Sequence, residues 1–92
     1  MASIEDPDGR RVELTQERWD HVIEEGHPEM IGLLDDVLAT ITGPDKRISG
    51  RESNEEWFYR EGVGPTRWLK VVVIYEQQRG FIVTVHGRRS FP

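Results

Sequence analysis

Four polar side chains alternate with apolar ones along two neighbouring runs of β-branched and aromatic residues. They are Lys70, Thr84, His86 and Arg88. Because side chains alternate across a strand, pairing Tyr75 with Phe81 in a hairpin would put all four on one face of a sheet. Histidine titrates near neutral pH, and lysine and arginine bind phosphate, so the set suits acid–base chemistry on a phosphate group.

Metal-independent RNA cleavage needs such a set. A base takes the proton of the 2′-hydroxyl, an acid protonates the leaving 5′-oxygen, and cations stabilise the charged phosphorane. His86 suits the acid–base work, Lys70 and Arg88 suit phosphate binding, and Thr84 can donate a hydrogen bond. Trp68 can stack a base, and Arg60 of the preceding strand can add a cation. The alternative interpretation is a half-buried sheet whose outer face is merely polar.

The hairpin that would hold these residues has strands at 68–75 and 81–86, joined by a turn at 76–80. Its other face is expected to be wholly apolar. That face would consist of Leu69, Val71, Val73 and Tyr75 with Phe81, Val83 and Val85. Shorter strands are predicted at 46–51 and 55–60, and 10–14 is a further short strand candidate.

Two helices are predicted before these strands. Thr15 has the character of an N-cap, and the first helix is expected from Gln16 to Glu25, ended by Gly26. The second is expected over 28–42, because Met30, Leu34, Val37 and Ile41 repeat at helical spacing. The order predicts an α+β domain of residues 1–92. Its two N-terminal helices would pack on one face of a three- or four-stranded antiparallel sheet.

The first two histidines allow two interpretations each. His21 is expected on the polar side of the first helix. It is either a solvated surface residue or a ligand or base at the edge of the sheet. His27 comes directly before Pro28, where the second helix is expected to begin. It is either a cap of that helix or a catalytic residue. The spacing of the three histidines matches no metal motif, so we expect no metal and no cofactor.

Composition bounds the function classes. The net charge of −5 divides unevenly: residues 1–45 hold three arginines and 12 acidic residues, and residues 46–92 hold nine basic and five acidic residues. A basic sheet can meet phosphate, while the acidic half disfavours strong non-specific binding of nucleic acid. With no cysteine, no apolar run of membrane-spanning length and no leader pattern, the expected location is the cytoplasm, without membrane contact.

Several short motifs resemble the barnase–EndoU–colicin–RelE-like nuclease group of phage and bacterial domains, over nearly the whole chain. They are LTQERWDHV at 14–22, HPE at 27–29, PD at 44–45, WFYR at 57–60, LKVVV at 69–73, and TVH at 84–86 followed by Arg88 and Arg89. The resemblance implies two N-terminal helices on an antiparallel sheet. The chain departs from the group in its acidic total charge, since free toxins of this kind tend to be basic.

The resemblance also implies an activity. It suggests a metal-independent endoribonuclease that cleaves RNA by 2′-hydroxyl transesterification, often the toxin of a toxin–antitoxin pair with a cognate antitoxin protein. The implied catalytic residues are His21, Lys70, Thr84, His86 and Arg88. The residues that we expect to bind the substrate are Arg60, Trp68 and Arg89. The alternative function is a non-catalytic protein-binding module of the same fold, which would use the basic face or the aromatic edge at 57–59.

Overall fold

A computed structural model describes residues 2–25 and 27–92. Within them the chain forms six strands, two α-helices and one 3-10 turn. The strands are β1 Ala2–Glu5, β2 Arg11–Leu14, β3 Lys46–Ser49, β4 Glu55–Glu61, β5 Trp68–Glu76 and β6 Arg79–Arg88. The helices are α1 Gln16–Glu25 and α2 Leu34–Thr42, with the 3-10 turn Pro28–Met30 between them.

The sheet is larger than the sequence predicted, and it is mixed. The strand order is β1-β2-β6-β5-β4-β3, in which β2 pairs parallel to β6 and every other pair is antiparallel. The prediction of two N-terminal helices on a three- or four-stranded antiparallel sheet was therefore wrong. A hairpin precedes the helices, and its second strand joins the sheet beside β6. Four-residue strands such as β1 show too little alternation to be predicted from pattern alone.

The β5–β6 hairpin has two registers separated by a bulge. From Trp68 to Val72 the pairing is the predicted one, with Lys70 opposite His86. The register shifts after Val72, so that Tyr75 lies opposite Gly80 rather than opposite the predicted Phe81. The bulge moves Phe81 to the polar face and Ile82 to the core. The predicted faces were right for residues 84–88 and wrong for residues 81 and 82.

The turn of this hairpin and the close packing beside it explain the shift. The connection has two residues, Gln77 and Gln78, both with positive φ, rather than the five predicted. Gly80 lies against Tyr75, where an added Cβ would come within 2.9 Å of the Tyr75 ring. A residue with a side chain cannot occupy this position without displacing the Tyr75 ring, so the glycine and the tyrosine are paired.

The helices cover one face of the sheet. Thr15 caps α1 as predicted, since its Oγ1 accepts a hydrogen bond from the backbone N–H of Arg18. Gly26, predicted to end that helix, lies outside the described residues. The second predicted helix is broken between Met30 and Leu34, near Gly32. Among the described residues, no helix is long and apolar enough to cross a membrane.

The core lies between the helices and this face of the sheet. Met30, Val37 and Ile41 are fully buried there, and Leu34 packs at the margin, as the helical stripe predicted. The sheet contributes Val12 and Leu14 of β2, Phe58 of β4, Leu69, Val71 and Val73 of β5, and Ile82 and Val85 of β6. We call the opposite side, which carries Lys70 and His86, the open face.

A polar cluster closes one end of the core. Asp6, in the turn between β1 and β2, accepts a hydrogen bond from Tyr75 Oη at 2.8 Å and pairs with Arg10 and Arg47. Arg47 lies on the far edge strand β3, and Glu56 of β4 bridges both arginines. The contact of Asp6 with Arg47 therefore links the β1–β2 turn at one edge of the sheet to β3 at the other edge. Two opposite edges can meet in this way only if the sheet curves around its core.

Candidate active-site groove

An open groove of about 320 Å³ lies on the open face across strands β4, β5 and β6. Its lining residues are Arg51, Glu55, Trp57, Lys70, Val72, Thr84 and His86. The sheet register explains the placement, because Trp57, Val72 and Thr84 lie side by side in neighbouring strands. The volume is at the lower end of the ~300–1,000 Å³ found for small-molecule sites.

Lys70 is the central cation of the groove. It is only 8% exposed, and its Nζ lies 3.4 Å from the centroid of the Trp57 ring. Burial lowers the pKa of Lys70, and the charges of Arg88 and Arg51 lower it further, while Glu55 opposes the shift. This ammonium therefore releases its proton more readily than an ordinary lysine.

His86 lies directly opposite Lys70 across the β5–β6 ladder. Burial lowers the pKa of His86, and the positive charges of His27, Lys70 and Arg88 lower it further. The neutral imidazole, which can accept a proton, is therefore favoured near neutral pH. A neutral base and a cation of lowered pKa thus face each other in one groove.

His27 lies against His86, a contact that the sequence did not predict. The two rings meet edge to face, with their centroids 4.9 Å apart. His27 occupies the N-cap position of the 3-10 turn, as predicted, and its backbone carbonyl accepts a hydrogen bond from the N–H of Met30, but its side chain makes no capping hydrogen bond. Its Nδ1 instead lies 3.7 Å from a carboxylate oxygen of Glu29. No local sequence signal brings residue 27 to residue 86, since the approach depends on how α1 packs against β6.

The predicted site residues divide into two groups. Thr84 lines the groove with Lys70 and His86, and exposed Arg88 acts electrostatically on both of them. Arg60 pairs with Leu69 and so lies on the helix side, which corrects its expected place beside Lys70.

The remaining predicted residues lie outside the groove. Exposed Arg89 follows the end of β6. His21 lines a different groove, formed on α1 with the acidic side chains Glu17, Asp20 and Glu24.

Three groove residues were missed as candidates for chemistry. Arg51 adds a cation, and Glu55 accepts a hydrogen bond from Trp57 Nε1. That bond holds the indole ring over Lys70. The alternation of β4 places Glu55 and Trp57 on one face, but only the β4–β5 register shows that this is the face of Lys70. The aromatic edge at 57–59 is closed to a partner at Phe58 and Tyr59, which are both fully buried.

Tyr59 shows an unpaired hydroxyl beside the groove. Its Oη is buried and is the one buried side-chain polar atom without a hydrogen-bond partner among the described residues. Burial raises the pKa of Tyr59, while the charge of Arg88 acts in the opposite direction. A buried hydroxyl without a partner lowers stability, because it loses its bonds to water and gains none.

Two tyrosine variants form a matched test of this difference. Tyr59→Phe is expected to raise the free energy of unfolding by about 1 kcal/mol, because it removes an unpaired hydroxyl. Tyr75→Phe removes a hydroxyl that donates to Asp6, and is expected to lower it by about 1–3 kcal/mol. Urea unfolding of both variants measures the difference. Equal losses in the two variants would show that the Tyr59 hydroxyl has a partner after all.

Comparison of the chain with protein-family models, with curated proteins and with solved structures gives no significant match. Among the described residues, no group of three or more histidine, cysteine or acidic side chains is placed to hold a metal ion. The groove therefore has to be interpreted from its own side chains.

Proposed function

We propose that this chain is a metal-independent endoribonuclease that acts in the groove around Lys70. In that reaction the 2′-oxygen attacks phosphorus, and the bond from phosphorus to the 5′-oxygen breaks. The products are a 2′,3′-cyclic phosphate and a free 5′-hydroxyl. The reaction needs a base, an acid and positive charge around one phosphate group.

The groove residues can share these tasks. His86, kept neutral by its lowered pKa, accepts the 2′-hydroxyl proton. Lys70 donates a proton to the leaving 5′-oxygen, for which its lowered pKa suits it. Because the two residues face each other across the strands, the proton on His86 can return to Lys70 through solvent and restore the starting state. Arg51 and Arg88 hold the phosphate, and Thr84 donates a hydrogen bond to it.

The main supporting observation is the facing pair of Lys70 and His86 in an open groove. Most lysine side chains keep their ammonium in bulk water. Here the ammonium is held against Trp57, with the Lys70 side chain lining the groove. Keeping such a cation desolvated costs folding free energy, and groups with shifted pKa values gather at functional sites.

A toxin–antitoxin role is what the family resemblance implies for this activity. In such a pair, a cognate antitoxin protein would block the enzyme until it is released. The cations Arg51, Lys70 and Arg88 would favour an acidic segment of such a partner. The same contact would serve the alternative function, a binding module without catalysis.

The product chemistry tests the proposal. A short fluorescent RNA is incubated with the protein in EDTA, and the ends are identified by mass spectrometry. We expect 2′,3′-cyclic phosphate ends, and no cleavage of the same oligonucleotide made with 2′-deoxy sugars. Lys70→Met, which keeps the length of the side chain, is expected to slow cleavage by at least about 100-fold.

Three outcomes would contradict this assignment. Cleavage of the 2′-deoxy oligonucleotide would exclude attack by a 2′-hydroxyl. Full activity of a folded Lys70→Met variant would remove Lys70 from the reaction. No cleavage of any RNA by the folded wild-type protein, with tight binding to an acidic protein partner, would favour the binding module.

A further inference from the structure

Phe91 fills an aromatic slot beside the groove. Its ring meets Tyr59 edge to face at a centroid distance of 4.7 Å, and the tilted Trp68 ring is 5.6 Å away. Lys46 Nζ lies 5.8 Å from the centroid of the Phe91 ring. We call the space between Tyr59, Trp68 and Lys46 the Phe91 slot.

Few bonds keep Phe91 in place. Among the described residues, segment 90–92 makes ring contacts through Phe91 and no hydrogen bonds. Ser90 and Pro92 on either side are exposed, and Phe91 itself is only half-buried. The hydroxyl of Tyr59, whose ring Phe91 contacts, is buried without a partner among the described residues. Phe91 therefore fills the slot without satisfying this hydroxyl, and it can leave without breaking a strand.

Lys70 connects the slot with the groove. Its Nζ lies 3.4 Å from the centroid of the Trp57 ring, which lines the groove, and 5.9 Å from that of the Tyr59 ring, which lines the slot. Trp68 forms a cross-strand pair with Arg88, one of the proposed phosphate-binding residues. An aromatic slot bordered by cations suits a nucleotide, whose base packs against aromatic rings while its phosphate pairs with positive charge.

We infer that the Phe91 slot is a nucleobase subsite, and that Phe91 occupies it as a stand-in for the base. The inference rests on the proposed ribonuclease function for its substrate. With a phosphate at Lys70, the adjoining base displaces Phe91 and takes its place, edge to face against Tyr59 and tilted against Trp68 as the Phe91 ring is. The base also brings polar atoms to the Tyr59 hydroxyl, which a phenyl ring cannot do. Phe91 thereby competes with the substrate and lowers its apparent affinity.

Binding of an uncleavable probe tests the slot. The probe is a fluorescent single-stranded 2′-deoxy oligonucleotide, titrated by anisotropy at one fixed salt concentration. We expect Phe91→Ala to bind it about tenfold more tightly, because no ring has to be displaced. Phe81→Ala is the matched control. It makes the same change on the open face at the other end of β6, and is expected to leave binding unchanged.

A second measurement uses the unaltered protein. In the wild-type protein, the NMR contact between the Phe91 and Tyr59 rings is expected to disappear as the oligonucleotide saturates the protein. Retention of that contact at saturation, or equal or weaker binding by Phe91→Ala, would overturn the subsite.

The two proposals fail separately. RNA cleavage together with no effect of Phe91→Ala removes the subsite and keeps the enzyme. Tighter binding by Phe91→Ala without any RNA cleavage keeps the subsite and removes the enzyme.

Discussion

Replacing His86 with alanine is expected to lower kcat/KM for RNA cleavage by about 10²–10⁴-fold, the range typical of a general base. The lowered pKa of His86 keeps its imidazole neutral and able to accept a proton near neutral pH. Thr84 has no titrating group, Lys70 and Arg51 are cations, and the Glu55 carboxylate accepts a hydrogen bond from Trp57. Losing the imidazole leaves the groove able to hold phosphate but without its proton acceptor.

The pH dependence gives this prediction a second readout. Burial and the charges of His27, Lys70 and Arg88 hold the pKa of His86 below its ordinary value of 6.5. As a base, His86 works only when it is neutral. Wild-type kcat/KM should therefore rise with pH along an acid limb below 6.5 and level off before neutral pH. His86→Ala should lose this limb together with the activity.

His21 provides the matched histidine control. The family resemblance implies a catalytic role for it, but His21 lines a separate groove with Glu17, Asp20 and Glu24. His21→Ala is therefore expected to cleave RNA at close to the wild-type rate. A loss as large as that of His86→Ala would show that the reaction takes place elsewhere.

Folding has to be measured beside activity, because the same pKa shift affects both. A histidine with a lowered pKa binds fewer protons in the folded state than in the unfolded state. The folded state consequently loses stability as pH falls below 6.5 towards the folded pKa. Unfolding curves at each pH separate this loss from a loss of catalysis. An acid limb that follows the unfolded fraction would contradict the role of His86.

Local pattern predicted the parts of the fold and site that depend on neighbours in sequence. The alternation in β5 and β6 predicted that Lys70, Thr84 and His86 lie on one face, and the β5–β6 register confirms this placement. The cap at Thr15 and the end of the second helix at residue 42 follow from backbone chemistry within one turn of helix. The prediction of one continuous second helix was wrong near Gly32. The apolar residues keep their helical spacing there, but the backbone is not helical between Met30 and Leu34.

Features that depend on contacts between residues far apart in the chain could not be predicted from local sequence patterns. The parallel pairing of β2 with β6 joins residue 11 to residue 79, and nothing in Arg11–Leu14 specifies that partner. The contact of His27 with His86 and the filling of the slot by Phe91 are tertiary in the same sense. A bulge shifts the register without leaving a mark in an all-apolar run.

Asp6 is the position where the largest loss of stability is expected. Asp6→Ala should lower the free energy of unfolding by about 3–5 kcal/mol, the range found when one member of a buried charged group is removed. The Asp6 side chain is fully buried, while its partners Arg10 and Arg47 are partly exposed. The two carboxylate oxygens have separate partners. Oδ1 accepts from the backbone N–H groups of Asp8 and Arg10, and Oδ2 accepts from Tyr75 Oη and Arg10 Nε.

Asp6→Asn isolates the second of these oxygens. Asparagine can keep the acceptor that serves the two backbone N–H groups, but it replaces Oδ2 with an amide donor facing other donors. We expect a loss of about 2–3 kcal/mol. Asp8→Asn is the control, because Asp8 pairs with Arg10 and Arg47 but its side chain is 63% exposed. Its expected cost is below about 1 kcal/mol.

Acid titration distinguishes the charge of Asp6 from its packing. Burial alone would raise the pKa of Asp6, but the hydrogen bonds from Tyr75, Arg10 and Asp8 and the charge of Arg10 bring it below its ordinary value of 3.8. The stability from this group is therefore present above pH 3.8 and is lost as pH falls towards the folded pKa. Urea unfolding from pH 7 to pH 2 should show the wild-type advantage over Asp6→Asn shrinking below pH 3.8. A constant advantage across that range, or an Asp8→Asn cost equal to that of Asp6→Asn, would mean that the edges of the sheet do not depend on the Asp6 charge.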